Sequence, residues 1–299
     1  IAGFSFIGIM LGVATLIIVL SVMNGFRKEL LNKIVGINGH IFAGAIDQPL
    51  KDYATLSNKL EELFGVKLAL PFVEGQALAS SQAGAAGVLV RGVREPDIKR
   101  IPSIANGIKQ GTLNGLDERA GVVIGRRLAE QLYVGVGDTL TLTAPKGAQT
   151  ALGTAPRIKA YPVVAVYEIG MSEFDSAFVY MPLNEAQAYF NRDGDVSSIE
   201  LFLMDPEKVD ATKKAIATTI ERPLFLTDWR QRNKTFFGVL EVERNVMFLI
   251  LTLIVLVAAL NIVSGLIMLV KDKSADIAIL RTMGATRGAV LRIFLITGA

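Results

Sequence analysis

VMFLILTLIVLVAALNIVSGLIMLV, residues 246–270, runs for 25 positions without a charged side chain. As an α-helix it would measure about 37 Å, enough to cross a hydrocarbon core of about 30 Å with some tilt. Working outward, residues 1–25 are equally free of charge, so two apolar runs bracket residues 26–245 and leave a tail from Lys271 to Ala299. These runs explain why the chain is 51% hydrophobic with a mean hydropathy of +0.44, values too high for a soluble enzyme or a disordered chain. The first run is not read as a signal peptide: it is longer than a usual apolar signal core, and Ser21-Val22-Met23-Asn24-Gly25 offers no small-x-small cleavage pattern. The chain starts at Ile1 without an initiator Met and stops at Ala299 inside another apolar helical pattern, so it reads as a fragment.

Charge sets the orientation. The net charge is +3, and the tail holds five basic residues (Lys271, Lys273, Arg281, Arg287, Arg292) against two acidic ones (Asp272, Asp276), which leaves residues 26–245 balanced. Basic flanks stay on the cytoplasmic side, so the tail lies inside and the 26–245 block outside. A neutral block argues against a nucleic-acid partner. The lack of Cys is compatible with an oxidising periplasm. Within the spans, Gly8 and Gly12 form a G-x-x-x-G pair suited to close helix approach, and Asn261 and Ser264 are polar groups that would pair with another helix.

The outer block alternates helix and strand signals. His40 to Ala45 reads as a strand, Leu50 to Leu63 as an amphipathic helix, and Val66 to Ser80 as one long or two short strands around Pro71. The order returns with Ser198 to Met204, a helix from Pro206, and a strand from Arg222 to Leu226. The fold expected is therefore α+β in a membrane protein. Transmembrane helices (1–25 and 246–270) flank an extracytoplasmic domain made of a split ferredoxin-like layer (about 38–84 and 197–228) with an inserted β-rich subdomain (about 85–196). Strands are expected at Leu89 to Val93, Thr139 to Thr143, Ile158 to Tyr167 and Ala177 to Met181, and short helices at Arg126 to Tyr133 and Leu183 to Phe190. Between two of those strands, Ala144 to Arg157 has no apolar periodicity and Pro near both ends, which suggests a protruding loop or hairpin arm.

Catalytic chemistry is missing from the pattern. The one histidine, His40, has no Cys to join it as a metal ligand and reads as a packed or surface residue. Gly121-Val122-Val123-Ile124-Gly125 is followed by Arg126-Arg127 where a phosphate-binding loop needs Lys and a hydroxyl. Catalytic residues, metal ligands and a cofactor in this chain are all expected to be none.

In the tail, Ser274 can cap a helix with Asp276 in its first turn, Gly284 can stop it, and Thr286 can cap the next helix, which begins at 288–299. On one face lie Ile277, Leu280 and Gly284, and on the next Ile279 and Met283. A helix lying on lipid would look the same.

The stretch from Val270-Lys271-Asp272-Lys273-Ser274-Ala275-Asp276-Ile277 through Ala278-Ile279-Leu280-Arg281-Thr282-Met283-Gly284-Ala285 closely resembles the segment after the second span in permease subunits of lipoprotein-releasing ABC transporters of the LolC/LolE type. It is similar more distantly to macrolide-exporter (MacB-like) and FtsX-like permeases. Leu20-Ser21-Val22-Met23-Asn24-Gly25-Phe26, Met181-Pro182-Leu183-Asn184-Glu185-Ala186 and Asp228-Trp229-Arg230 extend the resemblance over the chain. It implies a multi-pass protein of the bacterial inner membrane with four spans and a periplasmic domain, a separate ABC ATPase subunit that binds ATP and Mg, and a second permease subunit in a homo- or heterodimer. Outer-membrane lipoproteins would be extracted from the membrane and passed to a periplasmic chaperone. Residues 271–287 match the position of the coupling helix, with Asp276, Ile277, Ile279, Leu280, Arg281, Met283 and Gly284 as ATPase contacts. The loop Ala151, Leu152, Gly153, Thr154, Ala155, Pro156, Arg157 falls where the LolC type carries a chaperone-binding hook, although the tail looks more like the LolE type, as in a merged form.

Acyl chains need a dry apolar site. The span ends, Val22, Met23 and Phe26 on one side and Val246, Met247, Phe248 and Leu249 on the other, are the candidates for lipid and lipoprotein binding across a dimer, Met being adaptable to varied lipid shape. The other readings are a MacB-like exporter, an FtsX-like permease, or a two-span membrane sensor. The sensor would continue into a signalling segment, whereas Gly284 to Phe294 turns back toward the membrane.

Overall fold

The N-terminal apolar run is helical over Gly12–Gly25 (α1), within the computed structural model, which describes residues 10, 12–25, 36, 38–145, 149–150, 153–192 and 194–298. Strand and helix then alternate: β1 Ile41–Ala45, α2 Tyr53–Glu61, β2 Val66–Ser80, β3 Ala85–Val93, α3 Glu95–Ile98, α4 Pro102–Ala105, β4 Ile108–Gly111, α5 Leu116–Arg119 and β5 Val122–Gly125. There follow α6 Arg126–Leu132, β6 Thr139–Ala144, β7 Gln149–Thr150, β8 Gly153–Thr154, β9 Arg157–Tyr167, α7 Ser172–Ala177, β10 Phe178–Pro182 and α8 Leu183–Tyr189. The last are β11 Ser198–Leu203, α9 Val209–Thr219, β12 Leu224–Asp228, α10 Trp229–Arg232, α11 Lys234–Asp272, α12 Ser274–Thr282 and α13 Arg287–Gly298. The chain divides into two compact units, Glu29–Lys234 and the pair of segments Ile1–Lys28 and Thr235–Ala299.

In the outer unit, β1-α2-β2 and β11-α9-β12 interleave. The strands stand in the order β12-β1-β11-β2, each antiparallel to its neighbour. From β2 the same sheet continues through β3, β10, β5 and β9 to β4, and β6 bonds both β2 and β9. The segment expected as an insert thus shares β2 with the split layer and does not stand apart from it. β2 is one strand, not two: its first part pairs with β11 and its second with β3. Pro71 falls where β11 is the only ladder partner, so its missing N–H leaves the rest of the sheet intact.

The core is apolar and aromatic. Phe42, Leu68, Phe72, Ile98, Ile104, Tyr167, Tyr180 and Phe202 belong to one buried cluster that spans both parts of the sheet. Gly121 to Gly125, which superficially suggested a glycine-rich loop, is largely the buried strand β5, parallel to β9 and antiparallel to β10. His40 is packed: its Nδ1 accepts the Leu203 N–H at 2.7 Å and its ring meets Phe202 edge-on. The strand expected over Arg222 to Leu226 lies at Leu224–Asp228, because Pro223 cannot donate to the ladder and the pairing with β1 begins at Leu224.

The other unit is helical. α11 is a single helix of 39 residues, about 58 Å long, and its stretch Arg244–Asp272 is the one helix among the described residues long and apolar enough to cross a membrane. It begins at Lys234, inside the block drawn as 26–245, because nothing in Lys234–Asn245 breaks the helix before the apolar run. Gly12 of α1 lies close to Ile254 of α11, near enough that a methyl group on Gly12 would touch it at 3.9 Å. Small residues at this position let the helices approach; Gly8 lies outside the described residues.

Candidate functional site

The tail forms a helix with a defined stop. α12 runs Ser274–Thr282, and its end closes by two bonds, Gly284 N–H to the Arg281 carbonyl (3.1 Å) and Ala285 N–H to the Leu280 carbonyl (3.0 Å). This pair is the Schellman arrangement, and Gly284 adopts the left-handed φ of +93° that it requires. Thr286 Oγ1 then accepts the Ala289 N–H at 3.3 Å, capping α13. Ser274 does not cap α12. The capping position is Lys273, with no side-chain bond to the helix backbone, and Lys273 Nζ instead pairs with Asp276 at 3.0 Å across the first turn. Ile277 is half-buried, whereas Leu280, Arg281, Ile279 (58% exposed) and Met283 (79% exposed) face outward. The helix therefore presents exposed apolar side chains, Ile279 and Met283 above all.

Between Ala144 and Arg157 the described residues pair as in a hairpin arm. β6 and β9 pair antiparallel from Thr139↔Pro162 to Ala144↔Arg157, and β7 and β8 form a further small ladder with Gln149↔Thr154 and Thr150↔Gly153. Gly153 and Thr154 belong to β8, and Ala155 and Pro156 are exposed. Ala151 and Leu152 lie outside the described residues. Arg157 differs from the rest of the set: it opens β9, and its guanidinium turns back onto α8, donating to the Ala188 carbonyl and to Asn191 Oδ1 (2.7 Å). It thus neutralises the negative end of a helix and holds the arm's root. Lys159 reinforces the root by pairing with Glu185 of α8 at 2.7 Å.

At the apolar span ends, Val22 (α1) and Val246, Phe248 and Leu249 (α11) are exposed, while Met23 and Met247 are half-buried. Phe26 lies outside the described residues. Among the described residues no group of three or more His, Cys, Asp or Glu side chains is placed to hold a metal.

A buried charge cluster was not anticipated from the sequence. Arg91 of β3, 2% exposed, bonds Glu74 of β2 at 2.7 Å and Glu200 of β11 at 3.3 Å. Arg232 of α10 bonds Glu74 at 3.1 Å. Burial alone would raise the pKa of Glu74, but Arg91 and Arg232 beside it hold it below the ordinary carboxylate value. For Glu200 burial wins, and its pKa is raised despite Arg91. The available signal was a lone charge within an apolar strand, in Leu89-Val90-Arg91-Gly92-Val93 and Ser198-Ile199-Glu200-Leu201-Phe202.

Comparison with known proteins identifies the family. Residues 2–219 match the family described as MacB-like periplasmic core domain. The chain is 35% identical over 297 residues, 99% of its own length and 72% of the relative's, to the lipoprotein-releasing system transmembrane protein LolC of Neisseria meningitidis serogroup B. It is 31% identical over 300 residues, again 99% and 72% of the two lengths, to the LolE protein of Haemophilus influenzae. The periplasmic region of MacB from Actinobacillus actinomycetemcomitans matches at 15% identity with a TM-score of 0.44, covering 70% of this chain and 97% of that one, too distant to add to the fold described above. By its sequence relatives, this chain belongs to the LolC/LolE family of lipoprotein-releasing system transmembrane proteins, and most of it matches the MacB-like periplasmic core domain.

Proposed function

We infer that this protein is the permease subunit of an ATP-driven system that draws outer-membrane lipoproteins out of the bacterial inner membrane and hands them to a periplasmic chaperone. The observation that carries the reading is the 35% identity to a lipoprotein-releasing LolC protein over 99% of the chain. The protein is multi-pass, with its domain in the periplasm, and works beside a second permease subunit and an ABC ATPase subunit that binds ATP and Mg. The interleaved β-α-β layer, with its strand order β12-β1-β11-β2, is read as ferredoxin-like. α12 is the coupling helix, supported by the outward Ile279 and Met283. The arm is the chaperone-binding element, supported by its projection between paired β6 and β9. Acyl chains bind at the apolar ends of α1 and α11.

The test is reconstitution with the ATPase, a lipoprotein and the chaperone in lipid nanodiscs. ATP should move lipoprotein to the chaperone. Replacing residues 145–156 by a short Gly-Ser turn should abolish chaperone capture and leave ATPase copurification unchanged. Full capture by that variant would remove the arm from the reading, and a wild type that releases nothing on ATP would sink the reading as a whole.

A further inference from the structure

The buried charge cluster joins parts of the outer unit that are far apart in sequence. Glu74 and Arg91 are cross-strand partners on β2 and β3. Glu200 lies on β11, opposite Phe42 of β1 on one side and Leu70 of β2 on the other. The Arg91 guanidinium lies 4.7 Å from the Phe72 ring and 5.4 Å from the ring of Phe178 on β10. Five neighbouring strands, β1, β11, β2, β3 and β10, therefore contribute to one cluster.

The same cluster takes hold of the chain where it enters and where it leaves the unit. At the entrance, the Gly39 N–H donates to Glu200 Oε1 at 2.6 Å. A side chain at position 39 would collide with Glu200 and the Leu201 carbonyl, so only glycine allows this approach. At the exit, Arg232 bonds Glu74 and lies 4.2 Å from the Phe42 ring. Two residues later α11 begins.

Stability alone does not account for four charged groups in this place. Desolvating ion pairs offsets most of their attraction, and apolar side chains of the same volume commonly serve stability as well or better. What directional, charge-assisted bonds supply is a defined geometry. We propose that Glu74, Arg91, Glu200 and Arg232 form a clamp that fixes the entering and leaving chain to each other and to the strands that carry the arm-bearing half, so that displacement of the attached helices reaches the domain as one movement. Arg232 and Glu200 are positioning residues in this scheme, since each acts through the group it bonds, Glu74 for the one and the Gly39 N–H for the other. The role in transport rests on the function proposed above; the clamp itself does not.

Spin labels on Phe64→Cys and Lys234→Cys in the full-length protein test the clamp directly, because both positions are exposed and belong to the outer unit. Arg232 is 36% exposed, so Arg232→Leu is compatible with folding. It should widen the label-to-label distance distribution about twofold and lower lipoprotein released per ATP hydrolysed about tenfold, the scale expected when a coupling element is loosened. Its Tm should stay near that of the wild type, and Arg232→Lys should restore much of both readouts. An unchanged distance distribution in Arg232→Leu would overturn the clamp, as would a loss of release no larger than its fall in Tm accounts for. If the wild type releases no lipoprotein, the function proposed above fails, and the distance comparison still decides the clamp.

Discussion

Asp228 uses its two carboxylate oxygens differently. Oδ1 accepts the Gln231 N–H at 2.8 Å while Gln231 accepts the Asp228 N–H, a capping box that starts α10. Oδ2 takes Lys213 Nζ at 2.7 Å. Burial would raise its pKa, but Lys213, the Gln231 N–H and Arg230 together hold it below the ordinary value. A depressed carboxylate contributes stability above its unfolded pKa and loses it as pH falls through the folded one. Asp228→Asn keeps the cap and removes the ion pair, so it should cost about 1–2 kcal/mol near neutrality. The difference from wild type should fade as pH drops below about 4. Denaturation followed through Trp229, the chain's one tryptophan, measures both. A difference that persists at low pH would place the effect in the cap. The motif Asp228-Trp229-Arg230 was thus visible in the sequence, whereas its partner Lys213, 15 positions earlier, was not.

At the scale of elements, sequence and structure coincide where the physics is local. The stop at Gly284 and the restart at Thr286 depend on one glycine and one hydroxyl, and both occur as the residue types demand. Gly284→Ala would force a side chain into left-handed backbone at about 1–2 kcal/mol. It is expected to reduce copurification of the ATPase while Trp229 reports an unchanged outer unit. Full copurification would mean that the angle between α12 and α13 does not matter for docking. The Ser274 cap went the other way because the turn after α11 is only Lys273 long, and the lysine occupies the capping position itself. The short strands β4 and β5 are not legible in the sequence because four residues carry too little periodicity, and β5 is buried on both faces. Arg157 looked like part of a loop by composition; only the position of α8 makes it an anchor.

For the whole molecule, orientation follows from charge and can be measured cleanly because the chain has no cysteine. Single cysteines at Phe64 and at Arg281 are both exposed positions. A membrane-impermeant maleimide applied to spheroplasts should label the first and reach the second only after permeabilisation. Labelling of both, or of Arg281→Cys alone, would reverse the assigned topology. Residues 26–245 carry no net charge, so long-range electrostatic steering contributes little to whatever binds there.

The sequence by itself determined the two apolar runs, the charge asymmetry across them, the alternating helices and strands, the turn at Gly284 and the family resemblance, because each is set by neighbours within about two helical turns or by summed composition. Tertiary structure alone decided that β2 serves both parts of one sheet and that Glu74, Arg91, Glu200 and Arg232 meet. The reason is physical. A charge inside a strand costs free energy unless its partner arrives, and for Arg91 and Glu200 that partner is 109 residues away, brought close only when the sheet closes. The charge-free run at 246–270 marked where the chain is anchored; the charges hidden between the two runs mark where its outer unit is held together.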